Sequence, residues 1–582
     1  MKCFCSIKAI NTTEGGNYVK KLFVFVTIVL ILIIGTLLSF TYIVEGRYYP
    51  SLNQYGNILL EDVQINATAL IEGEEIYIPY RVLKEYINPN AVVNLEEKRL
   101  FIDLSQNAYR FDNKETDSFV KANEFDLNFI LKEVDGELYA PVGLLSPFLG
   151  IKVEYVAETE VVIIDFLTKD HLRAVAKRKG NIIERPKIIS RRVAPLSAAE
   201  EITIMAESGD YYYVRNHQGM LGYTRKSNIQ ILSHDETPQI HYNFYGREPW
   251  RPLGKIGLVW DYVYHNTKDR REEDKLEAID VLSPTWFSLS NSDGTIINKG
   301  DYSYVLDAHG KGYRVWGLVT NSFDPDLTSD FLSSKDSQDH FIRQILFYSS
   351  LYNLDGINID FENIHYRDKD AFTNFVRSLT QHLKRENLVV SIDVTIPSGS
   401  PNWSKVYDRA KLGQIVDYVA VMTYDEHWAT SPKSGSVASI GWVERGIKAT
   451  LELVPPEKVL LGLPFYTRLW MEEEQNGKVK VSSKAYGMDK INEILLENNA
   501  EKLWNEESGQ YYAEYEKDGK TYRVWLEDER SLALKTTLVE KYNLAGIAAW
   551  RKDFEYEGVW PVLTDMIKGS KTYDEVLLNL RK

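Results

Sequence analysis

From residue 250 onward, short apolar runs recur between longer polar, helix-compatible stretches. The runs are Ile256 to Val263, Val281 to Leu289, Tyr313 to Thr320, Gly356 to Glu362, Leu388 to Thr395, Tyr418 to Tyr424, Val459 to Tyr466 and Gly546 to Trp550. Eight strand-type runs alternating with helix-type stretches predict an α/β class domain, a (β/α)8 TIM barrel over 250–570. The stretch at about 470–535 is too long for a simple loop. It holds a helix candidate, Met488 to Leu496, and strand candidates around Tyr511 to Tyr515 and Tyr522 to Trp525. A small α+β insertion between strands seven and eight accounts for it.

The chain upstream has other rhythms. Over 57–166, Glu75-Ile76-Tyr77-Ile78-Pro79 with Leu83 is echoed by Glu137-Leu138-Tyr139-Ala140-Pro141 with Leu145, and Ile102-Asp103-Leu104 by Ile164-Asp165-Phe166. Both echoes are offset by 62 residues (141 − 79 and 164 − 102), which predicts one small α+β domain of two halves. Each half reads as a strand, a Pro-started short helix and two alternating strands. Across 167–237 a basic linker, Lys169 to Arg192, leads into alternating aromatic strands around Gly209-Asp210 and Gly219 turns, which predict a small all-β barrel. Leu22 to Val44 carries no charge over 23 positions, long enough to cross a bilayer as a helix. With Lys8, Lys20 and Lys21 before it, the positive-inside bias predicts a single-pass membrane anchor at 22–44, a cytoplasmic tail at 1–21 and an extracellular remainder. A cleaved signal peptide is the alternative, although the apolar run is long for one and lacks a small-x-small end.

Composition narrows the function classes. A net charge of −15 with no basic stripe argues against nucleic acid as a partner. The 12% aromatic share, with 37 Tyr and 12 Trp, leans toward a protein that handles sugars, with core packing as the commoner explanation. Cys3 and Cys5 are the only cysteines, so the chain beyond the expected anchor holds no disulfide. The ten His show neither His-x-x-x-His nor His-Glu-x-x-His, so no metal site and no cofactor is expected.

Within Leu354-Asp355-Gly356-Ile357-Asn358-Ile359-Asp360-Phe361-Glu362, polar groups fall at every second position from 358. On a strand, Asn358, Asp360 and Glu362 share one face. Carboxylates in such a row are costly to bury, so they are candidates for chemistry, with an exposed acidic face as the bland alternative. At the ends of the later strands stand Met422, Tyr424, Asp425, Tyr466, Arg468 and Trp550. An acid, a phenol and an indole at one barrel mouth suit sugar hydrolysis. Asp355, beside Gly356, reads as a turn residue, and Asp393 as a candidate buried barrel carboxylate. Tyr466 and Arg468 either line the cleft or anchor the insertion.

Over about 250–570 these motifs resemble glycoside hydrolase family 18, the chitinase-like family. Its Asp-x-x-Asp-x-Asp-x-Glu motif stands here as Asp355 to Glu362, its second motif as Met422-Thr423-Tyr424-Asp425, and its floor tryptophan as Trp550. The resemblance implies retaining, substrate-assisted hydrolysis. Glu362 would donate the proton, Asp360 would orient the 2-acetamido group, Tyr424 would bond its carbonyl, Asp425 would help fix the sugar and Trp550 would close the pocket. Asn358, expected to bind substrate along with Met422, Asp425, Tyr466, Arg468 and Trp550, departs from the family's usual Asp; an amide can still hydrogen-bond Asp360 but cannot share a proton with it. Phe361 replaces a common Trp. Both changes resemble the branch linked to spore-cortex or peptidoglycan breakdown, which implies a polysaccharide containing N-acetylglucosamine, peptidoglycan or chitin-like, as the partner. The 57–166 repeat resembles the copper amine oxidase N-terminal-like stalk module, with no copper ligands in view. The segment within 167–237 resembles a bacterial Src-homology-3-like domain, either a plain linker barrel or a ligand-binding one. The expected function is therefore a membrane-anchored extracellular glycosidase, with an inactive glycan-binding or wall-tethering protein on the same barrel as the alternative.

Overall fold

The computed structural model describes residues 13–45, 56–73, 75–104, 109–169, 171–232, 242–244, 250–475, 477–569 and 571–580. Cys3 and Cys5 lie outside them. All eight apolar runs become parallel strands: β1 (Ile256–Asp261), β2 (Val281–Pro284), β3 (Arg314–Thr320), β4 (Gly356–Asp360), β5 (Val389–Thr395), β6 (Tyr418–Met422), β7 (Val459–Pro464) and β8 (Gly546–Trp550). Hydrogen bonding runs from β1 through β8, β7, β6, β5, β4 and β3, and β2 pairs with both β1 and β3, so the sheet closes into a barrel. Closure is tight where β8 begins. A Cβ on Gly546 would stand 1.9 Å from the Ile256 carbonyl oxygen, which only glycine avoids.

The barrel is filled rather than hollow. Leu258, Trp260, Trp316, Leu318, Ala420, Leu460 and Ala548 interlock inside it, and Trp316 stacks on Tyr418 with ring centres 5.8 Å apart. Each large side chain so buried contributes about 2 kcal/mol. The apolar fill occupies the lower and middle levels of the interior. Polar side chains therefore collect at the C-terminal end of the strands.

The insertion is a five-stranded antiparallel sheet with one helix, and its first strand, Tyr466–Gln475, starts directly after β7. Met488–Glu497 is the helix, and the Tyr- and Trp-rich stretches lie in the strands Gln510–Lys517 and Lys520–Leu526. A buried ion pair, Lys535 Nζ to Glu527 Oε2 at 2.9 Å, ties the end of this insertion to the helix Glu529–Lys541.

The 62-residue repeat is divided between two compact units. Residues 83–144 group with the barrel, while 56–70, 76–82 and 145–166 group with the all-β part. Beside the barrel, Asn128 is the fastener. Its Nδ2 donates to the Ile296 carbonyl at 2.6 Å, its backbone N–H donates to Tyr348 Oη at 2.9 Å, and Asn298 Nδ2 donates to its carbonyl at 3.0 Å. Phe347 packs edge-on against Tyr109 at 5.2 Å. The helix Lys335–Leu351 is consequently buried along most of its length rather than on one face.

In the other unit, Ile58–Leu60 pairs in parallel with Val161–Phe166. A seven-stranded sheet covers 172–231. The stretch Lys169 to Arg192, expected as a linker, contributes the strands Leu172–Ala176 and Gly180–Ile183 to it. The reason is that Ala174, Ala176 and Ile182 point into this sheet's own core, with Arg173 exposed on the first strand and Lys177, Arg178 and Lys179 exposed between the two.

The membrane anchor expected at 22–44 is overturned, and with it the single-pass placement. Among the described residues no helix is long and apolar enough to cross a membrane.

Candidate active site

Asn358 sits at the centre of the barrel, fully buried. Its Oδ1 accepts from Trp260 Nε1 at 2.8 Å and from Ser283 Oγ at 3.4 Å, and its Nδ2 donates to Ser391 Oγ at 2.9 Å and to Asp393 Oδ1 at 2.8 Å. One amide thus joins β1, β2, β4 and β5. Two expectations are corrected here. Asn358 bonds Asp393 rather than Asp360, because the interior-facing Asp393 on the neighbouring strand is nearer its amide. With both polar atoms spent inside the protein and no exposed surface, it supports the pocket and does not touch a ligand.

Asp360 ends β4 above Asn358 and is also buried. Its Oδ1 has no hydrogen-bond partner among the described residues. Buried polar atoms are nearly always paired, so an orphan at the mouth of a barrel marks a place for a ligand. Glu362 lies two residues past the end of β4, in the loop, not on the strand as its spacing suggested. Asn321, at the end of β3, holds it there from both sides. The Glu362 N–H donates to Asn321 Oδ1 at 3.0 Å and Asn321 Nδ2 donates to the Glu362 carbonyl at 2.7 Å. Tyr407 Oη secures the preceding carbonyl, that of Phe361, at 2.9 Å.

Three acids now share one low-dielectric region. Burial pushes the Asp360 carboxyl up to about 7. Burial, then the charges of Asp360 and Asp425, raise Glu362 well above the usual carboxylate range. Burial and the charge of Asp360 likewise raise Asp393, against the opposing hydrogen bond from Asn358. Like charges so close resist simultaneous ionisation, so protons are retained near neutral pH. Glu362 is half-buried, which leaves its retained proton within reach of a ligand.

The other expected residues gather around this trio. Tyr424 is held neutral by burial and by the charges of Asp393, Glu362 and Asp360, and its ring lies 6.2 Å from that of Tyr466. Tyr466 Oη donates to Asp425 Oδ1 at 2.8 Å and Arg468 Nη2 to the same oxygen at 3.2 Å. Tyr466 and Arg468 therefore belong to the insertion's first strand and also reach the cleft. Trp550 packs on Trp260, ring centres 6.0 Å apart, and Tyr262 meets it edge-on at 6.2 Å. Met422 is the last residue of β6, in register with Thr395. Asp355 stands at the opposite end of β4. Burial raises its carboxyl, but bonds from His309, the Val315 N–H and Arg314 outweigh this and hold it below the usual range. It is a structural clamp between strands.

Asn321, Tyr407, Trp260 and Ser283 were not singled out in the sequence. Asn321 carried one usable signal, a polar residue directly after a strand of a barrel. As for metal ligation, one group among the described residues brings three ligand atoms within 4.8 Å of one another: Glu61, Asp165 and His171, in the all-β unit. Arg215 already grips Asp165 through both terminal nitrogens, at 2.7 and 2.5 Å, so this cluster is balanced by an arginine.

Residues 319–555 match the model of the glycosyl hydrolases family 18, and residues 59–164 match that of the copper amine oxidase N-terminal domain. The chain is 28% identical over 328 residues to the uncharacterized glycosylase YvbX of Bacillus subtilis, spanning 54% of this chain and 92% of that one. It is 25% identical over 310 residues to the cortical fragment-lytic enzyme of Bacillus anthracis, spanning 50% and 71%. Among solved structures, the spore cortex-lytic enzyme SleL of Bacillus megaterium aligns at 21% identity over 55% of this chain and 75% of that one, with a TM-score of 0.49.

Proposed function

From the premise that this chain is a glycosidase carrying a family 18 glycosyl hydrolase domain and a copper amine oxidase N-terminal-like domain, we propose that it cleaves N-acetylglucosamine linkages of peptidoglycan with retention of configuration. The observation that carries this reading is the pairing of a half-exposed, proton-holding Glu362 with the buried, orphaned oxygen of Asp360. Glu362 gives its proton to the glycosidic oxygen as that bond breaks. The 2-acetamido oxygen of the bound sugar attacks the anomeric carbon, and the bond so formed closes an oxazolinium ring. Asp360 accepts the acetamido N–H and offsets the positive charge that develops. Tyr424 donates to the acetamido carbonyl, and Trp550 lies under the ring with Tyr262 at its edge. Water then opens the ring at the anomeric carbon and returns a proton to Glu362. Asp425, fixed by Tyr466 and Arg468, holds the sugar from the insertion side. The names of the cortex-lytic relatives favour peptidoglycan over chitin as the polymer.

The test is mass analysis of sugars released from purified peptidoglycan by the full chain and by Glu362→Gln. The wild type releases fragments with N-acetylglucosamine at the new reducing end. The variant keeps its fold and loses at least a hundredfold in rate, the usual order for a general acid. Equal product from both proteins would remove the acid role and leave a glycan-binding protein.

A further inference from the structure

Arg551 follows the floor tryptophan directly and is half-buried. Its guanidinium carbon lies 4.0 Å from the centre of the Phe554 ring, 4.8 Å from Tyr262 and 5.7 Å from Tyr264. Tyr262 is the same residue that meets Trp550 edge-on, so the cation stands at the lip of the pocket. Three rings hold the guanidinium in place. Such stacking occupies the faces of the group and leaves its N–H edge to point elsewhere. That edge makes one long contact, Nη2 to Tyr264 Oη at 3.5 Å.

What sets Arg551 apart is the absence of an anion. Arg270 pairs with Asp261, Glu273 and Asp553, Lys268 with Asp553 and Glu273, and Lys552, its neighbour in the chain, with Glu273. Among the described residues Arg551 enters no ion pair. In a chain of net charge −15, an arginine positioned by three aromatic rings at the edge of a sugar pocket, with its fork unfilled, is a receptor for a carboxylate. A neutral polymer of N-acetylglucosamine has no such group. A glycan in which that sugar alternates with one bearing an unsubstituted lactyl ether has one at every second ring, whereas a peptide joined to the lactyl group turns that carboxylate into an amide.

We propose that Arg551 is a specificity-determining residue, binding the carboxylate of an acidic sugar next to the one over Trp550, so that the site selects acidic wall glycans over neutral ones. This rests on the pocket proposed above and names the chemistry of its substrate. The contact is a bidentate pair at a partly shielded rim, with Tyr262 and Tyr264 keeping the guanidinium from collapsing onto the protein.

The test uses binding, so that it reads even without turnover. Full-length Glu362→Gln protein, with and without Arg551→Gln or Arg551→Lys, is titrated with three ligands: soluble glycan strands carrying free carboxylates, the same strands methyl-esterified, and chitohexaose. Arg551→Gln is expected to weaken binding of the free-carboxylate strands about tenfold and to leave the other two unchanged, with Arg551→Lys recovering part of the loss. Esterification alone should lower affinity for the protein with Arg551 intact by the same factor, a comparison that needs no change at 551. Equal weakening toward all three ligands would mean that Arg551 only supports the tyrosines, and an esterified strand binding as well as the free acid would mean that the carboxylate is not read; either overturns the proposal. If the wild type releases no sugar from strands that it binds through Arg551, the glycosidase reading of the substrate fails while the carboxylate contact stands.

Discussion

Asn358 carries more of the site than its neutrality suggests. Replacing it by the acid common in the family keeps the acceptor for Trp260 but removes both donors, to Ser391 and Asp393, and adds a fourth buried carboxyl to Asp360, Glu362 and Asp393. We expect Asn358→Asp to cost about 3 kcal/mol, read as a lower denaturant midpoint at unchanged slope. The acids themselves set a pH dependence. Asp360 titrates near 7 when folded, against 3.8 for the free side chain, so the native state binds more protons between those values and stability falls as pH rises across them. Urea unfolding at pH 5 and pH 8 should show that slope, and Asp360→Asn should flatten it. The same substitution removes a charge that raises Glu362, so whatever residual activity it keeps should decline at a lower pH on the alkaline side than that of the wild type. Glu362, Asp360, Tyr424 and Trp550 were legible in the sequence because their signals are local: a two-residue spacing on a strand, or a place at a strand's end. The bonds of Asn358 to β5 and of Asn321 to Glu362 were not. They cross strands separated by whole helices, and only the register of the closed sheet brings them together.

At the level of elements, all eight strands could be read from apolar runs, since a strand covered on both faces leaves an almost continuous apolar stretch. Their ends could not, and the loop position of Glu362 follows from that: Phe361 is as apolar as the strand before it but packs among Phe341, Phe372 and Phe375 outside the ladder. The insertion was visible as an overlong gap, though its first strand begins at Tyr466, within the run assigned to β7. Its attachment depends on Lys535 and Glu527, both virtually without solvent contact. Lys535→Met leaves Glu527 buried without its cation and should cost about 3–5 kcal/mol, measured as a fall in melting temperature. Adding Glu527→Gln removes the stranded charge and should restore much of that loss, because the surviving amide can still bond Ser531 and Gln510.

For the whole molecule, the sequence repeat at 57–166 suggested a self-contained domain, and repeat spacing carries no information about which half prefers which neighbour. The structure gives 83–144 to the barrel through Asn128, whose partners Tyr348, Ile296 and Asn298 lie on barrel elements. Asn128→Ala keeps the backbone bonds but removes the side-chain partner of the Ile296 carbonyl, the Asn298 N–H and Arg99 Nη1, and should lower the barrel's thermal transition by several degrees while leaving that of the all-β unit in place, as resolved by calorimetry. The fastened helix, Lys335–Leu351, is also the one that leads into β4 and so into Glu362. An enzymologist seeking a minimal active fragment would naturally trim at 250, where the barrel pattern starts. That scissor cut would strip Phe347 and Tyr348 of their cover and hand the strand bearing the acid an unbraced, sticky support; the shortest dependable fragment begins before 83.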